Sequence, residues 1–305
     1  MRSILASWFD ANSTQARSEA RGDDHRVDWA RFLPFVVLHV GAVAAPFTGI
    51  SSVAVWTCIG LYVARMFFVT AFYHRYFAHR TFRTGRKRQF GMALLGTTSA
   101  QRGPLWWAAH HRKHHKWSDR ERDAHSPRHG LWHSHVTWFM RRDNLATDLE
   151  QVRDLARFRE LRFLDRFDTL GALVLAFATY AGGVWLEQRG VATSGAQMLC
   201  WGFCLSTVLL FHCTSLVNSA GHLVGSRPYD TGDDSRNSAW LALLTFGEGW
   251  HNNHHRYPVA ARQGFRWWQW DLSYYGLWAL AALGVIHDLR PVPAEVVEEG
   301  RRRRR

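Results

Sequence analysis

The fold class of this chain is decided by one stretch of its sequence, Gly195-Ala-Gln-Met-Leu-Cys-Trp-Gly-Phe-Cys-Leu-Ser-Thr-Val-Leu-Leu-Phe-His-Cys-Thr-Ser-Leu-Val217. Its 23 residues include no Asp, Glu, Lys or Arg. An apolar helix of that length crosses the roughly 30 Å of bilayer hydrocarbon. Thr169–Leu186 is equally free of these residues over 18 positions. We therefore predict two membrane-spanning helices joined by a short polar loop.

Two further apolar segments precede them and form a second predicted hairpin. Phe32–Ala45 and Val53–Tyr73 are separated by a turn signal, Pro46–Ser52. The second segment carries Arg65, which is costly in hydrocarbon unless it faces protein or reaches the interface. The expected fold is an all-α integral membrane protein whose four spans form two hairpins. The spans are predicted at about 32–45, 53–73, 169–186 and 195–217.

The charge distribution predicts the orientation. The 305 residues include 38 Lys or Arg against 25 Asp or Glu, a net charge of +13. Of the basic residues, 20 lie within 75–166. The loop at 46–52 has no basic residue, and the loop at 187–194 has one, Arg189. Basic residues concentrate on the cytoplasmic side of short loops. Both termini and the middle segment are therefore expected in the cytoplasm, and long uncharged spans argue against a nucleic-acid binder.

The remaining regions complete the predicted organisation. Residues 1–31 are polar and lack a signal-peptide core, so they are expected to form a cytosolic N-terminal segment. Residues 32–290 are expected to form a single membrane domain, followed by a basic tail at 291–305. The aromatic stretch from Phe265 to Leu280 predicts a helix in the membrane interface. The four cysteines lack C-x-x-C spacing and are expected to be buried free thiols.

Nine of the 18 histidines fall into motifs at the predicted cytoplasmic ends of the spans. Residues three and four apart share a helix face, so each triplet is expected to aim its nitrogens at one point. The first pair is separated by five residues, about 140° on a regular α-helix. His79 is therefore expected beyond the end of the second span, bent back toward His74. The motifs are His74-Arg-Tyr-Phe-Ala-His79, His111-Arg-Lys-His114-His115, Asn218-Ser-Ala-Gly-His222 and His251-Asn-Asn-His254-His255.

The number of imidazoles predicts a metal site. Nine are too many for one metal of ordinary coordination number, so two metals are the simpler count. Imidazole suits zinc, copper, iron and nickel, and the spacing does not choose among them. A single histidine pair at an interface is more often a polar rim, but two H-x-x-H-H triplets make that interpretation improbable. His39 and His212 are instead expected to be span residues that face protein.

At these residues the sequence resembles the membrane fatty acyl desaturases, and within them the delta-9 acyl-CoA desaturase branch. The resemblance covers about residues 60–290. It rests on the four histidine motifs and on Trp107-x-x-x-His111, Ser134-His-Val-x-Trp138, Leu216-Val-Asn-Ser-Ala-Gly-His222, Arg227-Pro-Tyr-Asp230 and Gly247-Glu-Gly-Trp-His251.

The resemblance implies a site and a reaction. The nine histidines would bind two irons, and Asn218 would reach one metal through water. The family fold places four spans under a cytosolic cap with a narrow, bent acyl tunnel. The reaction would use O2 and two electrons to introduce a cis double bond, at the delta-9 position, into a saturated acyl chain. The nine ligands expected are His74, His79, His111, His114, His115, His222, His251, His254 and His255.

Residues around that site carry further expectations. Glu248, Asp119 and Asp123 are expected to hold imidazole N–H groups, although surface carboxylates would look the same in sequence. Tyr62, Met66 and Tyr73 share a face of the second span leading to His74. They are expected to close the methyl end of the tunnel, with packing against a neighbouring span as the alternative.

Two departures from the family pattern concern the group that carries the acyl chain. Ala109-His110 stands where this branch tends to have charged side chains near the thioester, and Asp123-Ala-His125 stands where Asp-Pro-His is common. Acyl-CoA is the expected carrier, with acyl carrier protein or an intact lipid as alternatives. A separate electron donor of the ferredoxin, rubredoxin or cytochrome b5 type is expected on the basic face. The expected location is a bacterial inner membrane.

Two other functions remain open from the sequence. A related di-iron membrane hydroxylase or ketolase uses similar histidine motifs, although Asn218-Ser-x-x-His222 and Gly-Glu-Gly-Trp before the third motif are typical of the acyl branch. A membrane metal-binding or transport protein would need ligands deep within the spans, whereas these cluster at the span ends.

Overall fold

The computed structural model describes residues 8–11 and 25–302. Within these ranges the chain is helical, and its extended residues form isolated bridges but no strand. The α-helices are α1 (Trp29–Ala44), α2 (Ser52–Phe67), α3 (Arg86–Thr97), α4 (Pro104–Trp117), α5 (Leu131–His135), α6 (Arg153–Ala156), α7 (Arg159–Arg166), α8 (Leu170–Glu187), α9 (Gly195–Met198), α10 (Ser206–Ser219), α11 (Ala239–Leu244), α12 (His251–Arg256), α13 (Leu272–Ala282) and α14 (Ala294–Arg302).

Four continuous helical stretches are long and apolar enough to cross a membrane, which confirms the predicted all-α fold class. We call them spans 1 to 4. They cover Arg31–Thr48, Ser52–Ala78, Leu170–Glu187 and Gly195–His222. Helix α1 begins at Trp29, and of the predicted segment 1–31 the structure describes residues 8–11 and 25–31, so most of that segment lies outside the described residues.

Each hairpin turn is fixed by a serine at the start of the following helix. The Ser51 hydroxyl accepts a hydrogen bond from Ala54 N, and the Ser194 hydroxyl accepts one from Gln197 N. Such caps satisfy backbone N–H groups that have no partner within the helix. Ser51 also donates to Gln197 Oε1 over 2.7 Å, so the two turns meet at the same end of the bundle.

Span 2 is longer than predicted and changes its helical type. It was expected to end at Tyr73, but the helix continues as a π-helix over Phe68–Ala78. Span 4 contains a second π-helical segment, Leu199–Leu205. Apolar periodicity reveals a helix but not its hydrogen-bond pattern, and π-helical segments are frequent at functional sites. The helix therefore continues past Tyr73, the predicted end of the second span.

Arg65 faces the interior of the bundle. It is only 1% exposed. Its guanidinium donates to Thr207 Oγ1 over 2.7 Å and to Thr98 O over 3.3 Å, and it also contacts the Ser206 hydroxyl. These partners satisfy a charge that would be costly against lipid. Arg65 thus joins span 2 to span 4.

His39 and His212 face protein, as predicted. The Nε2 atoms of His39 and His212 lie 3.1 Å apart, and His212 Nδ1 lies 3.0 Å from His135 Nε2. This row of three rings connects span 1, span 4 and α5.

A cap of shorter helices packs on one end of the spans. Its main apolar core surrounds the π-helix of span 2 and includes Phe77, Leu105 and Leu161. Near the C-terminus, α14 lies within the region expected to be a basic tail. Val296 of α14 is buried in a small cluster with Tyr229, and Arg256 pairs with Glu299, so this part of the tail is packed.

Candidate metal centre

Five of the nine predicted histidines converge in one buried group, cluster I. Their candidate ligand nitrogens all lie within 4.8 Å of one another. Nε2 of His111 lies 2.8 Å from that of His79 and 3.0 Å from that of His115, and His254 Nε2 lies 3.0 Å from His74 Nε2. Cluster I comprises His74, His79, His111, His115 and His254.

The π-helix explains why His74 and His79 meet. His79 N donates to His74 O over 3.2 Å, the five-residue bond that defines a π turn. Residues five apart are thereby brought to one side, and the two rings lie 4.9 Å apart. The expectation that His79 bends back toward His74 is confirmed, because His79 directly follows the π-helix and its N–H closes the last π turn.

The other four predicted histidines form cluster II. Their candidate ligand nitrogens also lie within 4.8 Å of one another. Nε2 of His222 lies 3.0 Å from Nε2 of His251. Cluster II comprises His114, His222, His251 and His255.

Both H-x-x-H-H triplets are divided between the clusters, so the expectation that each aims at one point was wrong. On α4, His111 and His115 face cluster I while His114 faces cluster II. On α12, His251 and His255 face cluster II while His254 faces cluster I. Residues i and i+4 are nearly aligned along a helix, whereas i+3 lies on the other side of that line. Each helix therefore supplies ligands to two adjoining sites.

Three aspartates of cluster II each contact one imidazole. His114 Nδ1 lies 2.9 Å from Asp123, His222 Nδ1 lies 2.7 Å from Asp119, and His255 Nδ1 lies 2.7 Å from Asp233. A carboxylate on Nδ1 fixes the tautomer and leaves Nε2 as the free ligand atom. Asp119 and Asp123 are therefore placed where the sequence predicted imidazole partners.

In the part of the chain that the structure describes, one carboxylate contacts cluster I. Glu248 contacts His74 Nδ1 and also pairs with Arg75 over 3.1 Å. The Gln263 amide donates to Glu248 Oε2 and lies 3.3 Å from His74 Nδ1 and 3.4 Å from His254 Nδ1. Sequence reasoning missed Asp233 and Gln263, because neither has a telling spacing from a histidine.

Burial and neighbouring charges set the protonation states. Burial and adjacent imidazoles hold the pKa values of His79, His111, His115, His251 and His254 well below their usual range. Burial opposes ionisation of Asp119, but its hydrogen bonds with His222 and neighbouring groups lower its pKa to about 2. Neutral imidazoles beside ionised carboxylates are the state that binds a metal.

The donor set fits two metal ions. His255 Nε2 is buried and has no hydrogen-bond partner among the described residues, while its Nδ1 is held by Asp233. An unpartnered buried nitrogen is costly unless something ligates it. The two groups of imidazole nitrogens, several with a carboxylate on the outer nitrogen, are thus compatible with a metal centre.

Two connected cavities lead to the clusters. Cavity A, about 140 Å³, is lined by His110, His111, His125, Trp106 and Asn218, among others. The inner cavity, about 50 Å³, is lined by residues of both clusters, including His74 and His114, and also by Asn218. Trp107, His111, Thr214 and Asn218 line both. Asn218 therefore lies in the wall that the two cavities share.

The three residues predicted to close the tunnel lie outside these cavity walls. The Tyr62 hydroxyl donates to Leu244 O, Met66 is fully buried, and the Tyr73 hydroxyl donates to Arg102 O. None of them lines cavity A or the inner cavity. Val69 and Thr70, one turn beyond Met66, line the inner cavity instead. The tunnel role of the three stays a prediction.

Fold and site together define a class: an all-α protein with four candidate membrane spans and two largely buried histidine clusters that are compatible with a metal centre. Comparison with known proteins gives the family. The profile described as fatty acid desaturase matches residues 50–287. The chain belongs to the fatty acid desaturase family and is an oxidoreductase that desaturates fatty acyl chains.

Three curated relatives illustrate the similarity. Acyl-CoA 5-desaturase AL21 of Anemone leveillei is 38% identical, with 85% of this chain and 78% of that protein covered. The sn-1 stearoyl-lipid 9-desaturase of Anabaena variabilis is 34% identical, covering 87% and 94%. Delta-9 acyl-lipid desaturase 2 of Arabidopsis thaliana is 35% identical, covering 88% and 85%.

Proposed function

We propose that this desaturase introduces a cis double bond at the delta-9 position of a saturated acyl chain, with its nine histidines holding two irons. The observation that carries the proposal is the division of the histidines into groups of five and four along one cavity. Each group can serve one metal, and both face the space in which a chain would lie.

The protein's own residues have defined tasks in this site. The histidines present Nε2 atoms, while Asp119, Asp123 and Asp233 hold the outer nitrogens of cluster II and Glu248 that of His74. Asn218 lies at the cavity wall, where it would reach one metal through water. When bound, the irons supply the oxidising power of O2 toward an unactivated carbon. The cavity supplies position, since only its distance from the metals distinguishes one methylene from another.

The overall reaction is balanced with two electrons from a donor. One CH2–CH2 unit, O2, two electrons and two protons give one CH=CH unit and two water molecules. The donor would be a separate protein of the ferredoxin, rubredoxin or cytochrome b5 type, docked on the basic face of the cap. By the positive-inside distribution, cap and termini would face the cytoplasm of a bacterial inner membrane.

The carrier of the acyl chain is the finer part of the proposal. The resemblance implies acyl-CoA, with acyl carrier protein or a lipid as alternatives. The similar proteins act, by their names, on acyl-CoA in one case and on acyl-lipids in others. The length of acyl chain that the site accepts would depend on Tyr62, Met66 and Tyr73. These residues would act through the packing of span 2 beside the inner cavity.

Expression in a bacterial host that cannot make unsaturated lipids tests the proposal. We expect new monounsaturated chains, with the double bond located at delta-9 by mass spectrometry of derivatised fatty acids. His251→Ala is the matched negative control, because it removes one ligand of cluster II. A hydroxylated chain in place of an alkene would show the related hydroxylase activity and contradict the proposal. Purified protein that contains zinc instead of about two irons per chain, under iron-replete growth, would contradict the metal assignment.

A further inference from the structure

A second, larger cavity lies beside cavity A. This cavity B has a volume of about 400 Å³ and is apolar over most of its wall. Span 1 contributes Phe32 and Leu38, span 3 contributes Ala172 and Leu173, and Phe203 of span 4 lies behind them. Ala172, Phe203 and Leu38 belong to one packed cluster, which forms the floor. Cavity B therefore extends along the membrane helices, away from the histidines.

Cavity B adjoins cavity A through a shared wall. Phe35, Ala100, Arg102 and Phe139 line both cavities. Because cavity A also contacts His111 and Asn218, a molecule that occupies both cavities can reach the metal site with one part and leave another part in cavity B.

Cavity B opens sideways between span 1 and span 3. Both spans pack on the π-helical segment of span 4, Leu199–Leu205. Leu33, Val37 and Leu173 line the cavity and are nevertheless 48%, 60% and 47% exposed, so they form the rim of this opening. In a bilayer such exposed apolar residues on spanning helices contact hydrocarbon. The opening thus faces lipid chains.

One end of cavity B is charged. Arg31, Arg102 and Asp168 line it where span 1 and span 3 meet the cap. Arg102 Nε lies 2.9 Å from Asp168, and Arg31 Nη2 lies 3.4 Å from the same carboxylate. A long apolar body with a polar end next to the cap matches a lipid, whose chains lie in hydrocarbon and whose ester groups lie at the interface.

The outer pocket on the other side of His110 is unsuited to a phosphorylated nucleotide carrier. His110 lines both cavity A and this pocket. The pocket is lined by the carboxylates of Asp143, Asp148 and Glu150 and by one ammonium group, Lys113. Asp143 and Glu150 pair with Arg141 and Arg153, which do not themselves line the pocket. Among the described residues that line this pocket, three carboxylates thus face one ammonium group, whereas several phosphates require concentrated positive charge.

We propose that the acyl chain is presented as part of a diacyl membrane glycerolipid. The reacting chain occupies cavity A and the inner cavity, the second chain occupies cavity B, and the ester linkages lie near Arg102. This inference rests on the proposed desaturase function and replaces acyl-CoA as the expected carrier. The lipid enters from the bilayer between span 1 and span 3.

Three substrates distinguish the carriers with the purified iron-loaded enzyme in nanodiscs, supplied with O2, ferredoxin, ferredoxin reductase and NADPH. They are distearoyl phosphatidylethanolamine, stearoyl lysophosphatidylethanolamine and stearoyl-CoA, each with deuterated stearoyl chains. We expect the diacyl lipid to be desaturated at least about tenfold faster than the other two. A tenfold difference in rate requires no more binding free energy than the burial of about two methylene groups of the second acyl chain provides.

Leu173→Trp and Val174→Trp form a matched pair of variants. Leu173 lines the rim of cavity B, whereas its neighbour Val174 is 59% exposed on the same helix and does not line the cavity. We expect Leu173→Trp to remove most of the preference for the diacyl lipid and Val174→Trp to keep it. Stearoyl-CoA turnover equal to or faster than that of the diacyl lipid in the wild type overturns the carrier assignment and leaves desaturation standing. Absence of any double bond from all three substrates overturns the proposed function itself.

A binding measurement avoids dependence on turnover. A diacyl lipid with a photoactivatable diazirine on its second chain is cross-linked to the protein in nanodiscs, and the sites are mapped by peptide mass spectrometry. We expect adducts on span 1 near Leu33 and on span 3 near Leu173, reduced by Leu173→Trp. Adducts confined to cavity A, or spread evenly over all exposed faces of the spans, contradict a second-chain site.

Discussion

Clusters I and II use the same ligand type but are supported differently. In cluster II, three of four histidines have an aspartate on Nδ1. In cluster I the described partners are one carboxylate, Glu248, on His74 and the Gln263 amide beside His74 and His254. Cluster I is instead organised by backbone geometry, because a π turn brings His74 and His79 together. One site is therefore held mainly by charge and the other mainly by helix packing.

The largest expected effect comes from removing a ligand from either cluster. His114→Ala in cluster II and His115→Ala in cluster I are neighbours on α4, so they form a matched pair. We expect each variant to lower the iron content from about two to about one per protein molecule. We also expect each to abolish desaturation, since the proposed reaction needs both metals. Metal analysis and product analysis on the same preparations check this. Retention of full iron content by either variant would show that its histidine is not a ligand.

Removing the carboxylates that contact the imidazole Nδ1 atoms should affect the two clusters to different extents. Loss of a hydrogen-bond partner of a metal-binding histidine typically lowers metal affinity or activity by about 10- to 100-fold. We expect Asp233→Asn to lie at the lower end, about tenfold, and Glu248→Gln at the upper end, about 100-fold. We expect the larger loss for Glu248→Gln because Glu248 is the one carboxylate that contacts cluster I among the described residues, and it also pairs with Arg75. Iron titration of the two metal-free variants measures the difference, and Asp234→Asn, which changes a more exposed carboxylate, is the control. Equal losses in both variants would refute the contrast between the clusters.

Acidification of the metal-free protein should reveal two steps. Burial lowers the pKa of His255 to about 4, below the 6.5 of an unfolded chain, and it also lowers the pKa values of the cluster I histidines other than His74. The unfolded state then binds more protons, so stability present above pH 6.5 is lost as the pH falls toward 4. Asp119, with a pKa of about 2 against a usual 3.8, adds a second loss between about pH 4 and pH 2. Thermal unfolding at a series of pH values tests this; a Tm that is constant from pH 7.5 to 4.5 would contradict the first step.

The smallest effect concerns Met66 and Tyr62 of span 2, which lie outside the wall of the inner cavity. Met66→Ala and Tyr62→Ala are expected to change which chain lengths are desaturated, with little change in total product from the preferred chain. Fatty acid profiles of cells fed chains of different length measure the shift. If both variants leave the product lengths unchanged, the two residues serve packing alone.

Much of the fold and the identity of the histidines follow from local sequence. Uncharged runs such as 169–186 locate spans because hydrocarbon excludes charge regardless of distant residues. The predicted partners Asp119 and Asp123 follow α4 closely in sequence and do contact cluster II. Asp233 had no such signal, because it approaches His255 through the path of the loop before α11.

The sequence by itself determined four spans, their pairing into hairpins and a set of nine histidines sufficient for two metals. Only the tertiary structure decided how those histidines are divided, that Arg65 is satisfied by Thr207, and that a side cavity opens between span 1 and span 3. The physical reason is range. Hydrophobic length and helical periodicity act over a few turns, whereas the division of ligands and the shape of cavities depend on contacts between residues more than 100 positions apart, such as His74 and His254.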